Sequence, residues 1–404
     1  MISPSFARYW RASAVSGFGT YVTLFALQAL VVLTLDGTAS DVGWLNAVRW
    51  LPYLVVGIVV GALVDGRRRL PLMVGTDVVQ AVLLLAIPLL WWLDVLTLPV
   101  LLVVVAAYGT AAVVNSSASM SFLPRIVGRE DLQRAHARID GADAVATTSG
   151  PAIGGLLVSL VGAPVAVLVD SLTYLYSALT LRRIEHEEPP ARAGLTVRGL
   201  LADIGEGIRW AYGRSGLATL AINTHGWFLA HAVVGVVLAP YAFLVLDLSA
   251  VQLGVTGAVG GVGAVVGTLV TTAVGRRLGT GWTIILCHAI TTVAVVTYAV
   301  AGQVGGAAVV VLALGQLLYG LAMGMSNSHE MSYRQLVTPD ELQARTNTTL
   351  RSLNRAVVVV ASPIAGILAD AWGITPVLVL SAVLFGLVTL SLAATPFRNV
   401  RAPV

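Results

Sequence analysis

Charged residues are scarce in this sequence of 404 residues: they make up 11 % of it, whereas 57 % is hydrophobic. Soluble domains carry about 25 % charged residues. With a mean hydropathy of +0.86, the apolar side chains exceed what a water-soluble core can bury, which excludes an ordinary soluble protein. The excess predicts a lipid-facing surface, and at roughly 20 apolar residues per span the chain holds about twelve membrane helices.

Cysteine is almost absent, and several chemical signatures are missing altogether. The single cysteine, Cys287, lies in an apolar run, which excludes an intrachain disulfide and favours a small buried side chain over a reactive thiol. The sequence has no Gly-Lys-Ser/Thr phosphate loop, no cluster of metal ligands and no nucleophile triad. It therefore predicts no cofactor, no metal site and no enzyme activity. We also expect no cleavable signal peptide, because the first apolar run is long enough to span the membrane.

Apolar runs, broken by glycine, proline and charge, predict an all-α membrane protein of twelve transmembrane helices in two pseudo-symmetric six-helix bundles. The predicted spans are 10–35, 43–64, 71–93, 99–123, 133–161, 165–182, 216–246, 251–274, 281–302, 306–328, 345–370 and 375–394. The predicted domains are an N-terminal bundle at 1–183, a polar linker at 184–214 and a C-terminal bundle at 215–404. Within the linker, the pattern predicts a short amphipathic helix around residues 200–212.

Arginine supplies all 24 basic residues, since lysine is absent. The arginines between predicted spans all fall on one side of the membrane, and the opposite loops carry no arginine but four aspartates, Asp36, Asp41, Asp94 and Asp247. By the positive-inside rule, both termini are cytoplasmic in a bacterial plasma membrane. The same rule accounts for the net charge of +4 without any nucleic-acid partner. Arg49 is the exception, because it falls in the outer part of the second predicted span.

The two halves share motifs that recur about half a chain length apart. Asn115, Asp131-Leu132-Gln133, Gly150-Pro151 and Gly154 in the first half align with Asn327, Glu341-Leu342-Gln343, Ser362-Pro363 and Gly366 in the second. Parallel six-helix repeats are typical of transporters that hold their substrate between the two halves. Channels and membrane enzymes seldom need such a design.

The loop between the second and third predicted spans has a distinctive pattern. It contains a glycine (Gly61), an aspartate four positions on (Asp65) and three arginines (Arg67, Arg68 and Arg69). This pattern resembles the signature loop of the major facilitator superfamily, with the glycine of the basic end displaced.

Other segments extend the resemblance to nearly the whole chain. Gly150-Pro151 with Gly154 is similar to the Gly-Pro motif in the fifth helix of that family's antiporters. Three further motifs resemble the macrolide-efflux and enterobactin-exporter branch of that family: Phe6-x-Arg8-x-Trp10, Ser16-Gly17 and Leu123-Pro124. The counterpart of the signature loop between the eighth and ninth spans keeps its arginines but lacks the aspartate.

The resemblance implies a gate that holds the two halves together. In this family the loop aspartate is held against the start of the eleventh span, where the partly positive helix end favours a carboxylate by about 0.3–1 kcal/mol. Asp140 and Asp143, three positions apart on one helix face, would form the mirrored latch, with proton carriage or plain exposure to the cytoplasm as the alternatives. The expected gating residues are Gly61, Asp65, Arg67, Arg69, Asp140, Asp143, Gly150, Pro151, Arg276, Arg277, Arg351 and Arg355. The alternative for the loop arginines is that they only set the topology.

The resemblance also implies that the first, fourth, seventh and tenth spans line a substrate cavity. The expected cavity residues are Gln28, Arg49, Asn115, Asn223, His225, His231, Gln316, Tyr319 and Asn327. No acid lies in the middle of these spans, so the candidate proton carriers are His231, His225, Asp77 and Asp143, followed by Asp170. For both histidines, the alternative to proton carriage is a structural role. Arg49 attracts an anionic substrate or pairs with Asp41 or Asp370.

These features predict a monomeric secondary transporter that exports a drug or a hydrophobic small metabolite by alternating access, with protons as the coupling ion. Its partners are the small-molecule substrate, protons and the lipid bilayer. A cavity with amides and few charges suits bulky amphiphilic substrates. Export of a siderophore or an endogenous antibiotic is the alternative within this class, and a non-transporting membrane scaffold or sensor is the alternative outside it.

Overall fold

A computed structural model describes residues 3–55, 67–128, 131–185, 197–213 and 217–401. Helices form nearly all of these ranges, and no strand occurs in them. The helices are α1 (Pro4–Ala29), α2 (Ala39–Val55), α3 (Arg69–Trp92), α4 (Leu98–Ile126), α5 (Leu132–Val161), α6 (Leu168–Leu181, after a single turn Ala163–Ala166), α7 (Val197–Tyr212), α8 (Ala218–Pro240), α9 (Ala250–Leu278), α10 (Thr280–Ala301), α11 (Ala308–Val337), α12 (Asp340–Trp372) and α13 (Ile374–Ala394).

The predicted all-α membrane fold is confirmed. Within the described ranges, eleven helical segments are long and apolar enough to cross a membrane, and α2 is the described part of the second predicted span. α7 coincides with the predicted amphipathic helix. Several helix ends differ from the prediction, among them those of α1 and α11. α1 begins at Pro4 because the Ser3 hydroxyl accepts a hydrogen bond from the Phe6 amide at 3.1 Å, and α11 continues to Val337, beyond the predicted end at residue 328.

The described residues group into two units, one from Met1–Gly37 with Val48–Leu200 and one from Thr38–Ala47 with Leu201–Val404. The same packing pattern occurs inside each. In the first unit, α1 packs against α5 and α6, and α3 packs against α4 and α6. In the second unit, α8 packs against α12 and α13, and α10 packs against α11 and α13. The repeated motifs of the sequence therefore correspond to a repeated helix arrangement, while the exact domain bounds stay a prediction.

Glycines bring α9 and α11 into direct backbone contact. A Cβ atom on Gly320 would lie 1.9 Å from the Gly260 carbonyl oxygen, and one on Gly263 would lie 2.2 Å from the Leu317 oxygen. Small residues at such positions let membrane helices approach closely. Gly263 and Gly267 thus have a packing role against α11.

Replacing one of these glycines tests the contact. We expect Gly320→Ala to lower the thermal unfolding temperature in detergent, because overpacking typically costs about 1–3 kcal/mol. The matched control is Gly75→Ala in α3, where an added Cβ meets no atom within 4 Å; it should be neutral or stabilise by up to about 1 kcal/mol. Equal unfolding temperatures for the two variants would contradict the packing role.

Candidate functional site

The first unit contains a buried carboxylate held by neutral groups. Asp77 on α3 is 3 % exposed. Its Oδ1 accepts a hydrogen bond from the Asn115 amide of α4 at 2.7 Å, and its Oδ2 accepts one from the Ser177 hydroxyl of α6 at 2.6 Å. An ionised acid inside a membrane costs about 2.5–3.5 kcal/mol on insertion scales. Asp77 is therefore a candidate for taking up a proton.

A second buried acid lies beside a network of tyrosines. Asp170 on α6 is fully buried, and its Oδ1 accepts a hydrogen bond from the Thr173 hydroxyl at 2.9 Å. The Tyr108 and Tyr174 hydroxyls lie 3.0 Å apart, and Tyr108 is within electrostatic reach of both Asp170 and Arg49. The interior of this unit therefore holds an arginine and an acid close to the same tyrosine hydroxyls.

Arg49 lies beside an aromatic ring, and the two acids weighed as its partners have other hydrogen bonds. Its guanidinium carbon lies 5.0 Å from the centroid of the Trp50 ring. Asp41 accepts a hydrogen bond from the Thr38 amide at 2.8 Å. Asp370 accepts one from the Thr38 hydroxyl at 2.8 Å and two from the amides that begin α2. Both acids are thus occupied in holding the start of α2, where the helix dipole favours negative charge.

The Gly-Pro motif of α5 brings α5 close to α1 beside Asp143. A Cβ atom on Gly150 would lie 2.5 Å from the Cβ of Tyr21. The Tyr21 hydroxyl donates a hydrogen bond to Asp143 at 3.2 Å. Asp140 and Asp143 are both exposed and line one cavity with Trp10 of α1. Asp143 is therefore a solvated acid rather than one enclosed in the helix bundle.

The predicted gating residues are partly covered by the structure. Asp65 and Gly61 lie outside the described residues, so the latch between Asp65 and α12 stays a prediction. Arg67 is exposed, and Arg69 is buried with its guanidinium donating to the Arg67 carbonyl at 3.3 Å. The remaining four arginines lie in the last turn of α9 and the first half of α12, where all but Arg355 are exposed: Arg276, Arg277, Arg351 and Arg355.

In the second unit, three of the predicted cavity residues belong to one aromatic cluster. His231 Nδ1 lies 2.5 Å from the Tyr319 hydroxyl, and the Tyr298 hydroxyl donates to Gln316 at 3.1 Å. The His231 ring stacks on Trp227, with ring centroids 4.8 Å apart. Sequence analysis did not single out Trp227, although its position four residues before His231 places it on the same face of α8. The cluster presents flat apolar surface with few polar atoms.

His225 connects the linker helix to the second unit. Its Nε2 is hydrogen-bonded to the Tyr212 hydroxyl of α7, and its Nδ1 lies 2.6 Å from the Asn354 amide oxygen of α12. An ion pair between Glu206 and Arg345 also joins α7 to α12. Burial raises the pKa of the Tyr212 hydroxyl, so it keeps its proton at physiological pH. Both ring nitrogens of His225 are engaged, which fits the structural alternative.

The other predicted cavity residues are dispersed. Gln28 is half-buried on α1 and has an interaction partner. Asn223 donates to the Thr219 carbonyl of its own helix at 2.8 Å. Asn327 is exposed and lines a small cavity between α8, α10 and α11. That cavity also contains His288 and Glu330, which sequence analysis missed because the predicted span ended at residue 328 and the ninth span was not expected to line a cavity.

Comparisons with known proteins agree with this architecture. The chain is 30 % identical over 220 residues to the multidrug efflux pump Tap of Mycolicibacterium fortuitum. The aligned region covers 52 % of this chain and 53 % of that protein. The chain is 29 % identical over 223 residues to Tap of Mycobacterium tuberculosis, covering 52 % of each. The chain thus spans about half the length of these curated relatives. An uncharacterized MFS-type transporter of Sinorhizobium fredii is 25 % identical over 348 residues, covering 84 % of this chain and 82 % of that one.

Solved structures share the fold at low sequence identity. The nucleoside transporter NupG superposes with a TM-score of 0.77 at 13 % identity, covering 97 % of this chain and 99 % of that one. A bacterial homologue of the iron transporter ferroportin, in its inward-facing state, gives a TM-score of 0.77 at 15 % identity, covering 97 % and 99 %. The sequence profile of the Major Facilitator Superfamily matches residues 10–357. The chain therefore belongs to the Major Facilitator Superfamily, whose members are membrane transporters and not enzymes.

Proposed function

We propose that this transporter exports a drug or another hydrophobic small molecule from the bacterial cytoplasm in exchange for protons, as a monomer with both termini in the cytoplasm. The observation that carries the proposal is the environment of Asp77. This acid is 3 % exposed and bonded to neutral donors on two other helices, so it is suited to change its charge inside the membrane.

The partners of Asp77 suit both of its protonation states. When Asp77 is ionised, the Asn115 amide and the Ser177 hydroxyl both donate to it, at 2.7 and 2.6 Å. When Asp77 is protonated, the serine hydroxyl can rotate and accept, since a hydroxyl is both donor and acceptor. Uptake and release of the proton therefore need no new partner, and they change the electrostatic free energy of a site that joins α3, α4 and α6.

Two further features support a bulky hydrophobic substrate. The aromatic cluster around Trp227, His231 and Tyr319 offers the flat apolar surface on which aromatic rings pack. Two relatives that match half of the chain are multidrug efflux pumps. We retain the predicted cavity residues of this cluster, His231, Gln316 and Tyr319, as substrate contacts. We retain the arginines of α9 and α12, with Asp65, as the gate.

Proton release from everted membrane vesicles tests the coupling. Vesicles with an acidic interior and a pH-sensitive dye are given dyes, macrolides and siderophores one at a time. We expect compound-dependent proton release with the wild type and none with Asp77→Asn, because the amide cannot carry the proton. The matched control is Asp36→Asn, an exposed acid after α1, which should behave as the wild type.

Two other results would contradict parts of the proposed function. Full proton release with Asp77→Asn would contradict the role of Asp77 and point to Asp143 or His231. No response to any compound, with the protein inserted and folded, would contradict drug antiport and favour the scaffold or sensor alternative.

Dye binding tests the aromatic cluster. We expect Trp227→Leu to raise the Kd of purified protein for ethidium about tenfold, since an aromatic pair contributes about 0.5–1.5 kcal/mol beyond its buried area. Trp92→Leu is the matched control, because that ring is 74 % exposed at the end of α3. Fluorescence anisotropy of the dye measures both constants, and an equal effect of the two substitutions would contradict a substrate contact at Trp227.

A further inference from the structure

A cavity lined by both apolar and polar side chains lies within the second unit, between α8, α10 and α11. Its volume is about 90 Å³, and a water molecule needs only about 10–15 Å³ of such space together with polar partners. The polar groups on its wall include His288, Asn327 and Glu330. The cavity is therefore large enough and polar enough to hold several ordered waters.

His288 contributes a nitrogen atom that no protein group satisfies among the described residues. The residue lies on α10 and is 3 % exposed, yet its Nδ1 has no hydrogen-bond partner. Buried polar atoms in proteins almost always have a partner, and exceptions call for an explanation such as a functional role or a bound water. His288 also lines the cavity, and a ring nitrogen whose lone pair has no partner can accept a proton.

Glu330 is the one carboxylate on the wall of this cavity in the part of the chain that the structure describes. It accepts a hydrogen bond from the Ser326 hydroxyl at 2.8 Å and pairs with Arg334 at 3.3 Å. The side chains of Arg334 and Glu330 are 11 % and 18 % exposed. His288 lies within electrostatic reach of the same carboxylate. Glu330 is thus paired with a permanent cation and shares a cavity with a group that becomes a cation on protonation.

The other titratable groups on the surrounding helices are accounted for. On α8, His225 is held by Tyr212 and Asn354, and His231 by Tyr319. On α10, Cys287 lines the cavity and Tyr298 donates to Gln316. On α11, His329 Nε2 bonds the Thr271 carbonyl at 3.2 Å, and Tyr333 packs on Phe397. α9 adds only its terminal exposed Arg276 and Arg277, and α13 contains no titratable residue.

We propose that His288 and Glu330 form a second proton-binding site, in which a proton delivered through cavity water adds to His288 Nδ1 and Glu330 balances the resulting imidazolium. A hydronium ion gives up one proton and becomes water, and the neutral ring becomes a cation. Glu330 is then shared between Arg334 and His288. The role of this site in transport rests on the proposed antiport, whereas its protonation can be measured without any substrate.

Nuclear magnetic resonance of ¹⁵N-histidine-labelled protein in lipid nanodiscs tests the site. The chain has six histidines, so the His288 signals can be assigned by their loss in His288→Gln. We record the wild-type His288 signals from about pH 8 down to about pH 4 and expect them to change as Nδ1 takes up the proton. In Glu330→Gln the midpoint should move about one pH unit or more to lower pH, because a nearby negative charge favours the charged ring. Glu341→Gln, an exposed acid at the start of α12, should leave the midpoint unchanged.

Two results of the NMR titration would contradict the proposed site. Wild-type His288 signals that stay constant over this range, or equal midpoints in the wild type and Glu330→Gln, would overturn the site. If His288→Gln does not fold, substitution of the other five histidines assigns the signal, and the comparison of the wild type with Glu330→Gln decides. A titrating His288 without compound-dependent proton release would contradict the antiport alone. Intact proton release, together with His288 signals that do not change with pH, would overturn this site alone.

Discussion

The interior of a bilayer offers no water to hydrogen-bond with backbone or side-chain groups, and the structure depends on that constraint. Each backbone donor and acceptor must be satisfied inside the segment, which leaves helices for this chain. Hydroxyl side chains follow the same rule, and many donate to the carbonyl one turn earlier in their own helix, as Thr20, Thr110 and Thr291 do. Other polar side chains bond between helices instead, as Ser171 does with Ala81 and Asp77 does with Asn115 and Ser177.

Each unit therefore contains its own polar centre within an apolar helix bundle. In the first unit, Asp77 draws donors from two other helices. In the second, Glu330 is held by Ser326 and Arg334, while His288 Nδ1 lacks a partner in the described protein. The two centres differ in chemistry, because one is an acid among neutral donors and the other balances a cation. If both take up protons, the two repeats contribute through unlike groups although their helices are arranged alike.

Hydropathy predicted the spans well because each needs a long apolar stretch, which is a local property. It failed at ends decided by a cap or by polar residues, such as Ser3 at α1 and the segment from His329 to Val337 at α11. The site was harder to predict. Asp77 was predicted only as one of several candidate proton carriers, and Ser177, a hundred positions away, becomes its partner only through packing of α3 on α6. His288 and Glu330 lie on different helices, and nothing local in the sequence pairs them.

The contact between α9 and α11 has a mechanical consequence. Where a carbonyl oxygen of one helix occupies the place of a missing side chain on the other, as between Gly260 and Gly320, no rotamer change can absorb a displacement. We therefore expect the two helices to move together as one rigid pair. Since α11 also forms one wall of the cavity with Glu330, tilting of this helix pair would open or compress that cavity.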